Sequence, residues 1–177
     1  MNIRDALLKE EIHTNVQALA IAHYSCTSDT NFKELMVCFL SNDYRLAQRA
    51  AWSVLWASKQ KTEMVLPYIG VLVQQMQRKD VHPAIVRNSL RILEKISIPE
   101  PLHGEVMDTC FRFVESPQTP IAVKAFALTT LFNLSKIYPE IKQELILIIE
   151  NQIDNGSPAF KSRAKKILQQ LNKHGKK

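Results

Sequence analysis

The chain has 177 residues, 46% of them hydrophobic, with four glycines, three cysteines and a formal charge of +6. That length can bury a sizeable core as one domain, and scarce glycine with long apolar periods favours helices over strands joined by tight turns. No run reaches 18 apolar residues, so no membrane-spanning helix is expected.

In chain order, periodicity and punctuation predict ten helices in five pairs. The first pair covers about 2–10 and 12–26, with His13-Thr14-Asn15 as start signals, and the polar segment Thr27-Ser28-Asp29-Thr30 follows with good capping chemistry. The second pair, about 30–41 and 44–58, is divided by Ser41-Asn42-Asp43. The third, about 61–79 and 83–97, is divided by Arg78-Lys79-Asp80. The fourth, about 100–115 and 119–135, is divided by Glu115-Ser116-Pro117-Gln118. The fifth, about 138–153 and 158–172, is divided by Asp154-Asn155-Gly156-Ser157. Pro83, Pro101, Pro120, Pro139 and Pro158 fall where a helix begins, a position proline tolerates. Pro67 sits inside Val65-Leu66-Pro67-Tyr68-Ile69 and is expected to kink that helix. No linker or composition shift divides the chain, which reads as one domain over 1–172 followed by a basic tail at 173–177, with fraying from Asn172 onward.

Arg49, Arg87, Lys124 and Arg163 recur at intervals of 38, 37 and 39 residues, the last three just after Pro83, Pro120 and Pro158. A period near 38 with two helical patterns per unit marks a helical repeat array, in which each pair buries its apolar face against the next. The chain resembles the HEAT repeat proteins of the HEAT/armadillo superfamily. Val65-Leu66-Pro67-Tyr68-Ile69 is similar to the leucine-proline element of a HEAT first helix, and Asp43 and Asp80 precede the basic residue by six and seven positions. The second helices open alike: Val86-Arg87 with Leu90 and Leu93, Val123-Lys124 with Ala127 and Leu131, Gln48-Arg49 with Leu55, and Ser162-Arg163 with Leu168. Repeat one lacks the basic residue, repeat four has Glu115 near its turn, and repeat five keeps Asp154 further upstream. The resemblance implies an all-α, right-handed α-solenoid of about five HEAT-like helix pairs. It also implies a structural ladder of Asp43, Arg49, Asp80, Arg87, Lys124 and Arg163, each basic residue bonding turn carboxylates or carbonyls, and a concave surface lined by second helices.

The helix at 44–58 holds the densest constellation. At 100° per residue Ala47, Ala51, Val54, Leu55 and Ser58 form one stripe, with Arg45, Arg49, Trp52, Trp56 and Lys59 on an adjacent face. Arginine beside indole suits a peptide, a carboxylate or a base, while burial of both tryptophans between repeats is the competing reading. Arg87, Arg91 and Lys95 form a second basic row, which Glu94, Glu100, Glu105 and Asp108 interrupt, as on a solvated face of mixed charge. Residues 161–177 carry +7, whereas residues 1–160 carry −1, so the basic character belongs to the last helix and tail. Such an end can attract nucleic acid or cap a repeat array in soluble form.

Catalytic signatures are absent: there is no Gly-rich phosphate loop, no H-E-x-x-H and no G-x-S-x-G. His13 and His23 have no cysteine at zinc spacing, and His103 and Cys110 stand about 10 Å apart along a helix, beyond hydrogen-bond reach. Scattered Cys26, Cys38 and Cys110 fit reduced thiols in the cytoplasm, and the charged opening MNIRDALLKEEIH does not read as a secretory signal. The expectation is therefore a non-enzymatic cytoplasmic scaffold, without cofactor, metal or membrane. It binds a protein or peptide through Arg45, Trp52, Trp56 and Arg91. The alternative is a nucleic-acid-binding protein, through the basic C-terminal helix, that resembles the HEAT-like alkylpurine DNA glycosylases in architecture, although no catalytic Asp matches their motif.

Overall fold

Side-chain caps and prolines set most helix starts. In the computed structural model the described residues are 1–173. They form ten α-helices and no strand: α1 (Ile3–Leu8), α2 (Asn15–Ser25), α3 (Asp29–Phe39), α4 (Tyr44–Gln60), α5 (Ile69–Gln77), α6 (Pro83–Leu93), α7 (His103–Glu115), α8 (Ile121–Leu134), α9 (Lys142–Ile153) and α10 (Pro158–Lys173). Asn2, Thr14, Ser28 and Asp43 each accept a backbone N–H from three residues further on, opening α1 to α4. Each such cap is worth about 1 kcal/mol. Thr14 completes a capping box with Gln17, so α2 begins at Asn15 rather than near residue 12. Because α1 already ends at Leu8, residues 9–14 become a six-residue connection. At the other end α10 includes Asn172 and Lys173, and the rest of the expected tail and frayed end lies outside the described residues.

The expected kink at Pro67 takes another form. Two 3-10 turns, Thr62–Met64 and Leu66–Tyr68, carry the chain to Ile69, where the α-helix starts. Proline lacks the donor that an α-helical turn needs and clashes with the carbonyl four residues back, so the tighter turn replaces the helix. Pro101 and Pro139 act alike: 3-10 turns at Glu100–Leu102 and Pro139–Ile141 precede α7 and α9. Pro83 and Pro158 are first residues of α6 and α10, and Pro120 is the residue before α8.

The chain divides into two compact units, Met1–Ile96 and the part from Ser97 onward. In the first unit α4 is the hub, packing against α2, α3 and α6, while α5 packs against α6. Leu46, Ala47, Ala50, Ala51, Val54 and Ala57 of α4 are buried, and the alanines let neighbouring backbones approach from several sides. Phe32, Leu35 and Phe39 of α3 and Leu72 and Met76 of α5 complete that core. Burying each large apolar side chain contributes about 1.5–3 kcal/mol. In the second unit α8 packs against α7, α9 and α10. Val106, Cys110, Val114, Leu128, Leu131, Leu145, Ile149, Phe160 and Ile167 are buried there.

Candidate functional site

The first unit contains a cleft of about 720 Å³, with walls supplied by α4, α6 and the connection before α2. Arg45, Gln48, Arg49, Trp52 and Leu55 come from α4, and Ala84, Arg87, Asn88 and Arg91 from α6. Glu11, Ile12 and His13 close the third side. A 17-residue helix without glycine or proline holds the first set rigidly, and packing of α4 on α6 brings the second set opposite. The size falls in the range of about 300–1,000 Å³ usual for small-ligand clefts.

The arginines are held differently. Arg49 is 6% exposed. Its Nη1 donates to the carbonyls of Leu7 (2.7 Å) and Glu10 (2.8 Å), and its Nη2 donates to that of Glu11 (2.7 Å). Arg45 donates through Nη2 alone, to the carbonyls of Glu10 (3.0 Å) and Glu11 (2.9 Å). Arg87 is exposed and donates no hydrogen bond to any described residue. Among the described residues Arg45, Arg49 and Arg87 form no ion pair with a carboxylate. Around Arg49 neutral carbonyls satisfy the terminal donors but leave the charge standing.

Neighbouring groups respond to that charge. Burial, then the proximity of Arg49, lowers the His13 imidazole to about 4, so it is neutral at physiological pH. Burial, then Arg87, lowers His82. Burial lowers Arg49 itself, with Arg45 beside it adding to the effect. The His13 ring meets Trp52 edge-on at 5.9 Å, and its Nε2 is buried without a hydrogen-bond partner.

Of the four residues expected to bind a partner, Arg45, Trp52 and Arg91 line the cleft. Trp56 does not: it is half-buried, its ring lies 4.3 Å under Lys59 Nζ, and its Nε1 is buried without a partner. Trp52 is also half-buried, between full burial and open exposure.

The ladder residues have separate fates. Asp43 caps α4, accepting from Leu46 N–H at 3.0 Å. Asp80 is bonded by Arg78, two residues before it, at 2.6 Å and 2.9 Å. Lys124 donates to Gln152 Oε1 at 3.1 Å, and Gln152 donates to the Val114 carbonyl. Arg163 donates to the Ala125 carbonyl (3.1 Å) and Thr129 Oγ1 (2.9 Å), and its guanidinium lies 5.1 Å over Phe126. His103 and Cys110 of the second unit are both buried. His103 Nε2 donates to the Ile98 carbonyl, leaving Nδ1 to accept from the Tyr138 hydroxyl. Burial pushes the Cys110 thiol well up, which disfavours the thiolate.

Sequence reasoning did not place His13, Gln48 or Asn88 at the cleft. Asn88 carried a signal, being a polar residue in the apolar stripe of Pro83–Leu93, where it is buried. His13 carried none, because its approach to Trp52 joins positions 39 apart through tertiary packing.

A family model described as a HEAT repeat domain matches residues 3–171. No curated protein and no solved structure matches the chain.

Proposed function

We propose, for a chain that belongs to the HEAT repeat family, a non-enzymatic cytoplasmic scaffold of about five helix pairs that captures a protein partner on its second-helix face. One observation carries the reading. Arg45 and Trp52 of α4 and Arg87 of α6 open onto the same cleft, with charge that no carboxylate of the described chain neutralises. Side chains presented by successive helices at fixed spacing suit groove recognition of a peptide or helix. Rigid α4 and α6 keep the ordering cost of binding low.

The test is site-directed photocrosslinking in the cell of origin. A benzophenone amino acid at Gln48 or Arg87, both at the cleft, is expected to trap a protein, whereas one at exposed Lys33 on α3 is not. Arg87→Glu with Arg91→Glu should abolish the adduct at Gln48 while the far-ultraviolet circular dichroism stays that of the parent. Equal trapping at Lys33 and Gln48 would remove the cleft from consideration.

A further inference from the structure

We propose that the cleft receives an acidic peptide segment: a short extended stretch carrying carboxylates at alternate positions beside an apolar side chain. The inference rests on reading the cleft as the partner-binding face, and it adds the chemistry of the occupant. Charge comes first. Arg49 is a buried cation whose three hydrogen bonds all go to carbonyl oxygens. Taking such a charge out of water without a counter-ion is costly, and an arriving anion offsets that cost. Donors come next. Arg45 uses only Nη2 on the protein, and Arg87 forms no hydrogen bond to a described residue, so forked guanidinium edges remain for carboxylates.

Spacing is the third argument. Arg87 and Arg91 are four residues apart on α6, about 6 Å along the axis. Alternate side chains of an extended peptide repeat at about 6.6 Å on one side, a close match. The lining also includes exposed Ile12 and half-buried Trp52, an apolar surface that inorganic anions would leave unused.

Nucleic acid is the weaker occupant. A duplex carries a phosphate charge every ~1.7 Å of its axis and needs a basic track beyond one cleft. Here exposed Glu10 and Asp43, neither of which lines the cleft, stand at the connections that open α2 and α4. They would repel a continuing phosphate backbone while tolerating a short peptide.

Fluorescence polarisation with the full chain tests the assignment. The probes are a fluorescein-labelled peptide of about twelve residues with glutamates at alternate positions around a central leucine, its glutamine counterpart, its lysine counterpart, and labelled single-stranded and duplex DNA. At low salt the glutamate peptide is expected to bind at least tenfold more tightly than the glutamine peptide. Arg87→Glu with Arg91→Glu should weaken it tenfold or more and shift preference to the lysine peptide. Arg87→Gln alone gives a smaller loss and serves if the double variant does not fold. Equal binding of the glutamate and glutamine peptides, no binding of either, or preference for DNA overturns the proposal. If crosslinking still traps a partner at Gln48 while the glutamate peptide fails to bind, the partner-binding reading stands and the acidic-peptide assignment falls.

Discussion

The Arg49 guanidinium donates a 2.7 Å hydrogen bond to the carbonyl of Leu7, 42 residues earlier, and so ties the middle of α4 to the end of α1. The same side chain shares the carbonyls of Glu10 and Glu11 with Arg45. A six-residue helix has little stability alone, so this fork fixes where α1 ends and how the following connection runs.

Replacing Arg49 with methionine keeps much of the buried stem, strands the Leu7 carbonyl and leaves those of Glu10 and Glu11 to Arg45 alone. The expected loss is about 2–3 kcal/mol in urea unfolding, the range for losing charged hydrogen bonds in a buried site. Arg49→Lys should recover less than half, because an ammonium cannot span three carbonyls with a planar fork. Full stability in the lysine variant would show that charge matters here and geometry does not.

His13 makes stability depend on pH. Its folded-state value of about 4 lies below its ordinary 6.5, so between these values the unfolded chain binds more protons. Its contribution is therefore complete above pH 6.5 and is lost as pH falls towards 4. Discounted for partial exposure, the loss is on the order of 1–2 kcal/mol. Between pH 7.5 and 4.5 the denaturant midpoint of the parent should fall relative to that of His13→Gln, which has no imidazole to protonate; an offset that does not change with pH would show that His13 does not titrate in this range.

The two tryptophans should differ in quenching. With Trp56→Phe, the remaining emission comes from Trp52 beside four arginines, where iodide concentrates and caesium is repelled. Iodide is expected to quench it several-fold more efficiently than caesium, with the difference shrinking at high salt as screening sets in. Trp56→Phe should also leave stability within about 1 kcal/mol of the parent, because it keeps the ring near Lys59 and deletes an unpartnered N–H.

Glycine substitutions should split in sign. A Cβ at Gly70 in α5 or Gly104 in α7 meets nothing within 4 Å, so alanine at either should add about 0.5–1 kcal/mol through helix propensity. At Gly156 a Cβ would lie 2.5 Å from Cδ1 of buried Phe160. Gly156→Ala should cost about 1–3 kcal/mol, read as a lower thermal midpoint, because the ring must leave its packed position.

The all-α class and the HEAT family were legible because they depend on period and punctuation, which a chain displays along its length. Asp43 was read as a ladder partner of the basic residue, and its side chain instead caps α4. Asp80 was misleading: its spacing from Arg87 matched the repeat, yet Arg78 stands two residues away and forms a fork at 2.6 Å and 2.9 Å. The helical projection grouped Trp52 with Trp56, but only Trp52 reaches the cleft, because the other walls come from α6 and the connection before α2. Those walls meet α4 through packing between distant segments, which no single helix pattern encodes. The same limit applied to Arg49 and Arg87. Equivalent positions in the period end as a buried three-carbonyl fork and as an exposed guanidinium.

The tie from Arg49 to Leu7 spans 42 residues, that from Lys61 to the Cys26 carbonyl spans 35, and those from Gln152 to Val114 and Arg163 to Ala125 span 38 each. Each closes a loop of about one period, so its entropic cost is modest and is met early. A chain leaving the ribosome can therefore complete these clasps one after another, each soon after its second end emerges. The clasps of the first unit, Arg49 to Leu7 and Lys61 to Cys26, can close before the second unit has been made.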